Sequence, residues 1–225
     1  MSGIFSISRF RMATDGPGIS TLIGFSGCPL NCQYCPNPIC HTDRSQWPDY
    51  SARELIDFVR RDELYMRMTG GGIVFGGGEP LGQEYFVKEC ALYSQKTLPD
   101  IPLRIETSLQ ASIKNVQELL PYISLWIIDI KDLNPDVYYR YTHGQMDLMW
   151  NNLMYLVQHA PYGQDSIWVR VPRIPGYNTN RDIQKSVRRL QPDIQKSVRR
   201  LQPYVKHIEV FSYRKPPEKR EGTTE

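Results

Sequence analysis

The sequence predicts an α/β fold, a partial (β/α)6 TIM-like barrel with a parallel sheet, in a single domain. Three observations predict it. Short β-branched apolar runs alternate with helical runs six times, which implies right-handed crossovers between parallel strands. The run 123–130 (ISLWIIDI) is almost continuously apolar, the pattern of a strand buried on both faces. Residues able to do chemistry fall directly after the strand-like runs, where such folds place their ligands.

The elements follow in order. Residues 21–25 (TLIGF) read as the first strand, ending at Ser26-Gly27. Residues 51–65 carry Leu55, Ile56, Phe58, Val59 and Leu64 at near-helical spacing, opened by a capping box from Ser51 and Glu54. A second strand at 72–75 stops at Gly76-Gly77-Gly78, and a helix over 82–95 leads to a third strand at 103–106. A helical stretch over 116–120 precedes the fourth strand at 123–130. Helices are expected over 135–142 and 147–159, a fifth strand over 166–171, a helix from about Arg181 and a sixth strand over 207–211. Six units suit an open barrel better than a complete eight-unit one.

Residues 182–192 (DIQKSVRRLQP) repeat without change as 193–203. Eleven residues are close to three helical turns, so a copy keeps its apolar face roughly in register. Pro192 opposes one unbroken helix, which leaves two short helices or one packed and one displaced copy. The core domain is read as 1–215, with a polar tail at 216–225.

Composition excludes several classes. Of 225 residues, 40% are hydrophobic, and 16 glycines bring the apolar share to the ordinary globular value. A net charge of +3 falls short of the concentrated basic face of a nucleic-acid binder. No apolar run approaches the roughly 18 residues of a bilayer helix. The first residues lack the apolar core of a secretion signal, so a cytoplasmic location is expected. Five cysteines, an odd number, argue against a disulfide framework. Four of them lie between positions 28 and 40, while Cys90 stands alone on an expected helix and reads as buried packing.

Cys28-x3-Cys32-x2-Cys35 puts three thiolates on one short loop. Three can hold three irons of a 4Fe-4S cubane and leave the fourth open to a small molecule. The alternative is a zinc site completed by Cys40 or His41. Gly77-Gly78-Glu79-Pro80 is either a simple turn or a backbone that lets carbonyls approach a ligand. Asp129 and Lys131, two apart on a buried strand, point one way and so line a pocket or form a salt bridge at the barrel mouth. Asp15, in Asp-Gly-Pro-Gly, readily starts a turn.

With Tyr34 before Cys35, the cysteine run resembles the cluster loop of radical S-adenosylmethionine (SAM) enzymes. More narrowly, 15–19 (DGPGI), 27–30 (GCPL) and 35–38 (CPNP) resemble the activating enzymes of glycyl radical enzymes, the pyruvate formate-lyase activase-like family. The resemblance implies an oxidoreductase that reductively cleaves SAM at a 4Fe-4S cluster. The 5′-deoxyadenosyl radical then takes a hydrogen from a glycine of a partner glycyl radical enzyme. It implies Cys28, Cys32 and Cys35 as iron ligands. Tyr34, Gly77, Gly78, Glu79, Pro80, Ser108, Asp129, Lys131 and Arg170 would bind the cofactor, and Asp15 and Gly16 the substrate side. A monovalent cation among Glu106, Thr107 and Asp129 is a further implication, with Glu106 where relatives usually have Asp. A flavodoxin or ferredoxin reductant is implied as well.

The spacing between Cys35 and Gly77 has no room for an inserted ferredoxin-like module, so one cluster is expected. Ser20 stands where relatives usually carry Arg, Leu109 where Gly is common, and Arg214 where a SAM-contacting His follows a Tyr. These departures keep two rivals open. The nearer is a radical SAM enzyme acting on another peptide or small molecule, including an anaerobic ribonucleotide reductase activase. The farther is a non-catalytic zinc or iron–sulfur binding module.

Overall fold

The computed structural model describes residues 3–12, 14–43, 45, 47–161, 163–190, 205 and 207–213. Seven strands form one sheet in chain order: β1 (Ile4–Met12), β2 (Ile19–Phe25), β3 (Ile73–Gly77), β4 (Leu103–Thr107), β5 (Leu125–Asp129), β6 (Ile167–Arg173) and β7 (His207–Ser212). Pairings β2 to β7 are parallel, and the sheet stays open between β7 and β1. The six strands read from sequence are these six parallel strands.

β1 is the addition. It pairs antiparallel with β2, with Ile7 opposite Ile23 and bulges on either side of residues 6–8. Its alternation of Phe5 and Ile7 with Ser6 and Ser8 is that of a half-exposed edge strand, and most of its residues are only partly buried.

Helices α1 (Ala52–Val59) and α2 (Glu63–Thr69) link β2 to β3, and α3 (Glu84–Thr97) links β3 to β4. α4 (Ile113–Leu119) links β4 to β5, α5 (Pro135–Thr142) and α6 (Met146–His159) link β5 to β6, and α7 (Asn180–Leu190) precedes β7. The capping box is present: Ser51 accepts from the Glu54 amide and Glu54 accepts from the Ser51 amide. The expected single helix over 51–65 is broken by a 3₁₀ turn, Arg60–Asp62. There Asp62, 1% exposed, accepts from Arg9 of β1 and from the Thr21 hydroxyl of β2 at 2.7 Å. That buried carboxylate pins the edge strand to the helical layer.

Residues 182–190 of the first copy of the repeated segment lie on α7, which buries Ile183, Ser186 and Leu190. The second copy, Arg214 and the tail at 216–225 lie outside the described residues.

The core lies between sheet and helices. Ile23, Phe75, Ile105, Ile128 and Val169, all fully buried, pack with Leu55, Ile56, Val87, Cys90, Val116 and Leu153. Each such large side chain contributes roughly 1.5–3 kcal/mol on burial. Strand alternation sends their neighbours Arg104, Glu106, Asp129 and Arg170 to the opposite, concave face. No described helix is long and apolar enough to cross a membrane.

One contact bears on the loop after β4. Asn152 of α6, 1% exposed, donates from Nδ2 to the Leu109 and Ala111 carbonyls at 2.9 and 2.8 Å. Leu109 holds a left-handed φ of 58° while fully buried. That conformation is free to glycine, the physical reason glycine suits this position; burial of the leucine offsets its strain. Asn152→Ala is expected to cost about 1–3 kcal/mol of unfolding free energy in urea denaturation. Asn152→Asp should cost more, because a carboxylate then faces two carbonyls.

Candidate active site

The cysteine loop leaves the C-terminal end of β2 at Gly27, whose φ is 85°. Its backbone is held independently of the sulfurs. The Gly27 amide donates to the Cys40 carbonyl at 2.6 Å, Asn31 to the Thr142 carbonyl at 2.8 Å, and Gln33 to the Tyr141 carbonyl at 3.3 Å. Leu30, 2% exposed, anchors the loop in the interior. Cys28, Cys32 and Cys35 are half-buried free thiols and line a single cavity of about 380 Å³.

Burial lifts the Cys28 thiol to about 12 and Cys32 to about 11, with the neighbouring cysteines adding to both shifts. Cys28 and Cys32 resist ionisation through burial first and through the charge of neighbouring cysteines second, which places the sulfurs of 28, 32 and 35 close together. A cationic iron centre is what draws such a set into thiolates. The donor set therefore fits a cluster held by one loop.

Cys40 sits behind this trio. It is 1% exposed, is not part of the cavity wall, and its thiol hydrogen-bonds Cys35, which holds Cys35 below the ordinary thiol value. The Cys35, Cys40 and His41 donor atoms lie within 4.8 Å of one another.

The glycine loop after β3 is stitched to the cysteine loop. The Gly78 amide donates to the Phe25 carbonyl at 2.9 Å, the Glu79 amide to the Gly27 carbonyl at 2.8 Å, and Asn37 to the Gly77 carbonyl at 3.2 Å. Glycine is required at both positions. Gly77 has φ 95°, and a Cβ on Gly78 would lie 2.3 Å from the Gly27 carbonyl oxygen. Gly77 and Gly78 line the cavity.

Glu79 and Pro80 do not. Pro80 starts a 3₁₀ turn, Pro80–Gln83, and the Glu79 carboxylate turns inward at 2% exposure. It accepts from the Thr107 hydroxyl at 2.6 Å, the Leu81 amide at 3.2 Å, the Ser108 amide at 2.9 Å and the Ser108 hydroxyl at 2.6 Å. Burial raises this carboxyl above its ordinary value, against the pull of those four donors.

The far wall is charged. Lys131 Nζ donates to Asp129 Oδ2 and to the Tyr213 hydroxyl, each at 2.8 Å. Burial works against the lysine charge, but Asp129, Tyr213 and Cys32 outweigh it and hold Lys131 well above its ordinary value. Asp129 Oδ1 and the Tyr141 hydroxyl are buried at this wall without a hydrogen-bond partner among the described residues. Groups of that kind call for a polar ligand.

Arg170 Nη1 donates to Glu106 Oε1 at 2.8 Å, and Nη2 to the Thr14 carbonyl. Burial lifts Glu106 to about 7, Arg170 pulling it down while Asp15 and Asp129 add to the rise. The three residues read as a cation cage thus meet three different partners: Arg170 for Glu106, Glu79 for Thr107 and Lys131 for Asp129. The protein supplies its own positive groups at both carboxylates.

Asp15 lies beneath the cavity, 1% exposed, and its Oδ1 accepts from Arg11 at 2.7 Å. Gly16 is buried beside it. Tyr34 stands at the rim, in ring contact with Tyr141 and Tyr177. Sequence reasoning missed Arg11, Asn37, Tyr141 and Tyr213 as parts of this site. Arg11 and Tyr213 lie on or beside the two edge strands, and Asn37 sits in the CPNP segment whose cysteine drew the attention.

Comparison with known proteins adds to this geometry. The family model described as the radical SAM superfamily matches residues 22–190. The chain is 28% identical to the (2S)-3-sulfopropanediol dehydratase activating enzyme of Klebsiella oxytoca, covering 78% of this chain and 72% of the relative. It is 30% identical to the pyruvate formate-lyase-activating enzyme of Clostridium pasteurianum, covering 84% and 75%. Among solved structures, QueE from Escherichia coli matches with a TM-score of 0.57 at 14% identity, over 93% of this chain and 83% of that one. SuiB from Streptococcus suis bound to S-adenosylmethionine matches with a TM-score of 0.59 at 14% identity, over 85% and 39%. These two likenesses concern the fold.

Proposed function

This chain belongs to the radical SAM superfamily, in its branch of glycyl-radical-enzyme activating enzymes, and from that premise we propose that it installs a radical on a backbone glycine of a partner enzyme. The observation that carries the reading is the convergence of Cys28, Cys32 and Cys35 with Gly77, Gly78, Asp129, Lys131 and Arg170 on one cavity at the C-terminal ends of the strands.

When bound, the 4Fe-4S cluster and SAM supply a single electron and a 5′-deoxyadenosyl radical able to take a hydrogen atom from glycine. The chain's own residues do the rest. The three cysteines grip the irons. Gly77 and Gly78 present main chain to SAM's amino end without side chains in the way. Asp129 Oδ1 and the Tyr141 hydroxyl, both unpartnered, offer an acceptor and a hydroxyl group to it. Lys131 and Arg170 balance the carboxylates of the wall, and Leu22, Leu30 and Phe211 keep bulk water off the reacting atoms. Asp15, buried and paired with Arg11, serves the substrate side through Arg11, which lines the cavity. No general base is required. A glycyl radical enzyme is the partner, and a flavodoxin or ferredoxin the electron donor.

One observation favours a second reading. Cys35, Cys40 and His41 are close enough to share a metal ion, which is the start of a zinc site. Anaerobic purification separates the two. A brown protein whose visible absorbance bleaches with dithionite, and which yields 5′-deoxyadenosine from SAM, supports the proposal. Stoichiometric zinc in a colourless protein overturns it. An electron paramagnetic resonance doublet on a co-expressed glycyl radical enzyme then identifies activation. 5′-Deoxyadenosine with no such doublet on any candidate partner points to another radical SAM reaction.

A further inference from the structure

We infer that Arg104 is a positioning residue for hydrogen abstraction: from β4 it clamps the turn that carries Asp15, and through Asp15 it sets Arg11 in the cavity wall. The inference rests on the activating-enzyme reading above and assigns a part of it to a residue outside the site's wall.

Arg104 is 3% exposed and does not line the cavity. Its hydrogen-bond partners among the described residues are three main-chain carbonyls and a hydroxyl, with no carboxylate among them. Nη1 donates to the Asp15 carbonyl at 2.9 Å, the Pro17 carbonyl at 2.8 Å and the Ser20 hydroxyl at 3.0 Å. Nη2 donates to the Gly70 carbonyl at 2.8 Å. A buried guanidinium is costly unless fully satisfied, so a chain keeps one where it organises several acceptors at once.

Three of these acceptors span one turn, 15–20, and the fourth ties that turn to the end of α2. The turn is shaped around the guanidinium. Gly16 has φ 94°, and a Cβ there would lie 2.8 Å from Arg104 Nη1. Ser20, 1% exposed, is short enough to leave room for the head group and accepts from it.

What the turn carries reaches the reacting region. The Asp15 carboxylate accepts from Arg11, and the Thr14 carbonyl accepts from Arg170, which holds Glu106; Arg11, Arg170 and Glu106 all line the cavity. Loosening Arg104 therefore shifts Asp15 and Arg11, while Arg170 stays held by Glu106 and the cysteine and glycine loops stay fastened to each other and to α5.

The test uses Arg104→Met, Arg104→Lys and the double variant Ser20→Arg/Arg104→Ser, which offers the turn a guanidinium from β2 in place of the one from β4. In Arg104→Met, amide hydrogen exchange of segment 14–21 is expected to quicken about tenfold or more, a local opening without global unfolding. Cluster absorbance and SAM cleavage without partner stay near wild type, while glycyl radical formed per SAM cleaved falls about tenfold or more. Arg104→Lys is intermediate, and the double variant recovers both protection and coupling. Unchanged exchange in Arg104→Met overturns the clamp. Faster exchange with an unchanged radical-to-cleavage ratio, or a proportional loss of both reactions, overturns the positioning role. Should Arg104→Met not fold, the lysine and double variants carry the same readouts. Wild-type protein that cleaves no SAM would sink the activating-enzyme reading instead, and exchange would still judge the clamp.

Discussion

Alanine in place of any one of Cys28, Cys32 and Cys35 is expected to give a folded, colourless protein that cleaves no SAM above background. The loop's backbone is anchored at Gly27, Asn31 and Gln33 by bonds that do not involve sulfur, so the fold survives the substitution. Three donors are the whole protein share of the cluster, and losing one leaves an iron without a tether. Loss of activity should therefore exceed the roughly 100-fold that removal of a supporting group costs a metal site. Iron per chain and visible absorbance, measured anaerobically, check it.

Cys90→Ala is the control. Cys90 is fully buried on α3, in the core and away from the cavity wall, and its loss leaves the colour intact. Cys40→Ala separates the two readings of the loop. Cys40 is no part of the cavity wall, so the cluster survives its loss, whereas a zinc ion on Cys35, Cys40 and His41 would not. Retention of metal in Cys28→Ala together with its loss in Cys40→Ala would reverse the assignment.

The legible part of this molecule was the part dictated by periodicity and by reactive side chains. β2 to β5 are buried on both faces, so their apolar runs stand out, and the bounds of α5 match the reading of 135–142. β1 escaped because an edge strand needs only one apolar face, and the four alternating residues Phe5, Ser6, Ile7 and Ser8 make a weak signal. The expected helix over 51–65 kept its apolar spacing through the break at Asp62. The break is made by a tertiary contact, Arg9 and Thr21 converging on one buried carboxylate, which no local pattern encodes.

The site divides in the same way. The cysteines and the glycine pair were legible because their chemistry is tied to their spacing. The direction of Glu79 was not, because its partners Thr107 and Ser108 lie at and just past the end of the next strand, 28 and 29 residues away. Tyr213 was missed for a related reason, its partner Lys131 being 82 residues away, and Arg11 was missed because its strand, β1, was itself not read.

Glu79→Gln tests that difference directly, and its main expected result is a loss of stability of about 2–4 kcal/mol in urea denaturation. Each carboxylate oxygen of Glu79 accepts two hydrogen bonds: Oε1 from Thr107 and Leu81, Oε2 from Ser108 twice. An amide keeps one acceptor and turns the other into a donor that faces two donors, at 2% exposure where water cannot intervene. The glycine loop would then lose its tie to the end of β4, since this carboxylate is what joins Thr107 and Ser108 to the turn after Gly78. A Glu79 that instead bound SAM through its carboxylate would behave otherwise. Its replacement by Gln would leave the denaturation midpoint unmoved and raise the SAM dissociation constant. A bracing role predicts the reverse order, with the unfolding free energy falling first and the SAM affinity of the molecules that remain folded changing little. Both quantities can be read on one preparation, and the larger of the two shifts decides which way the side chain works.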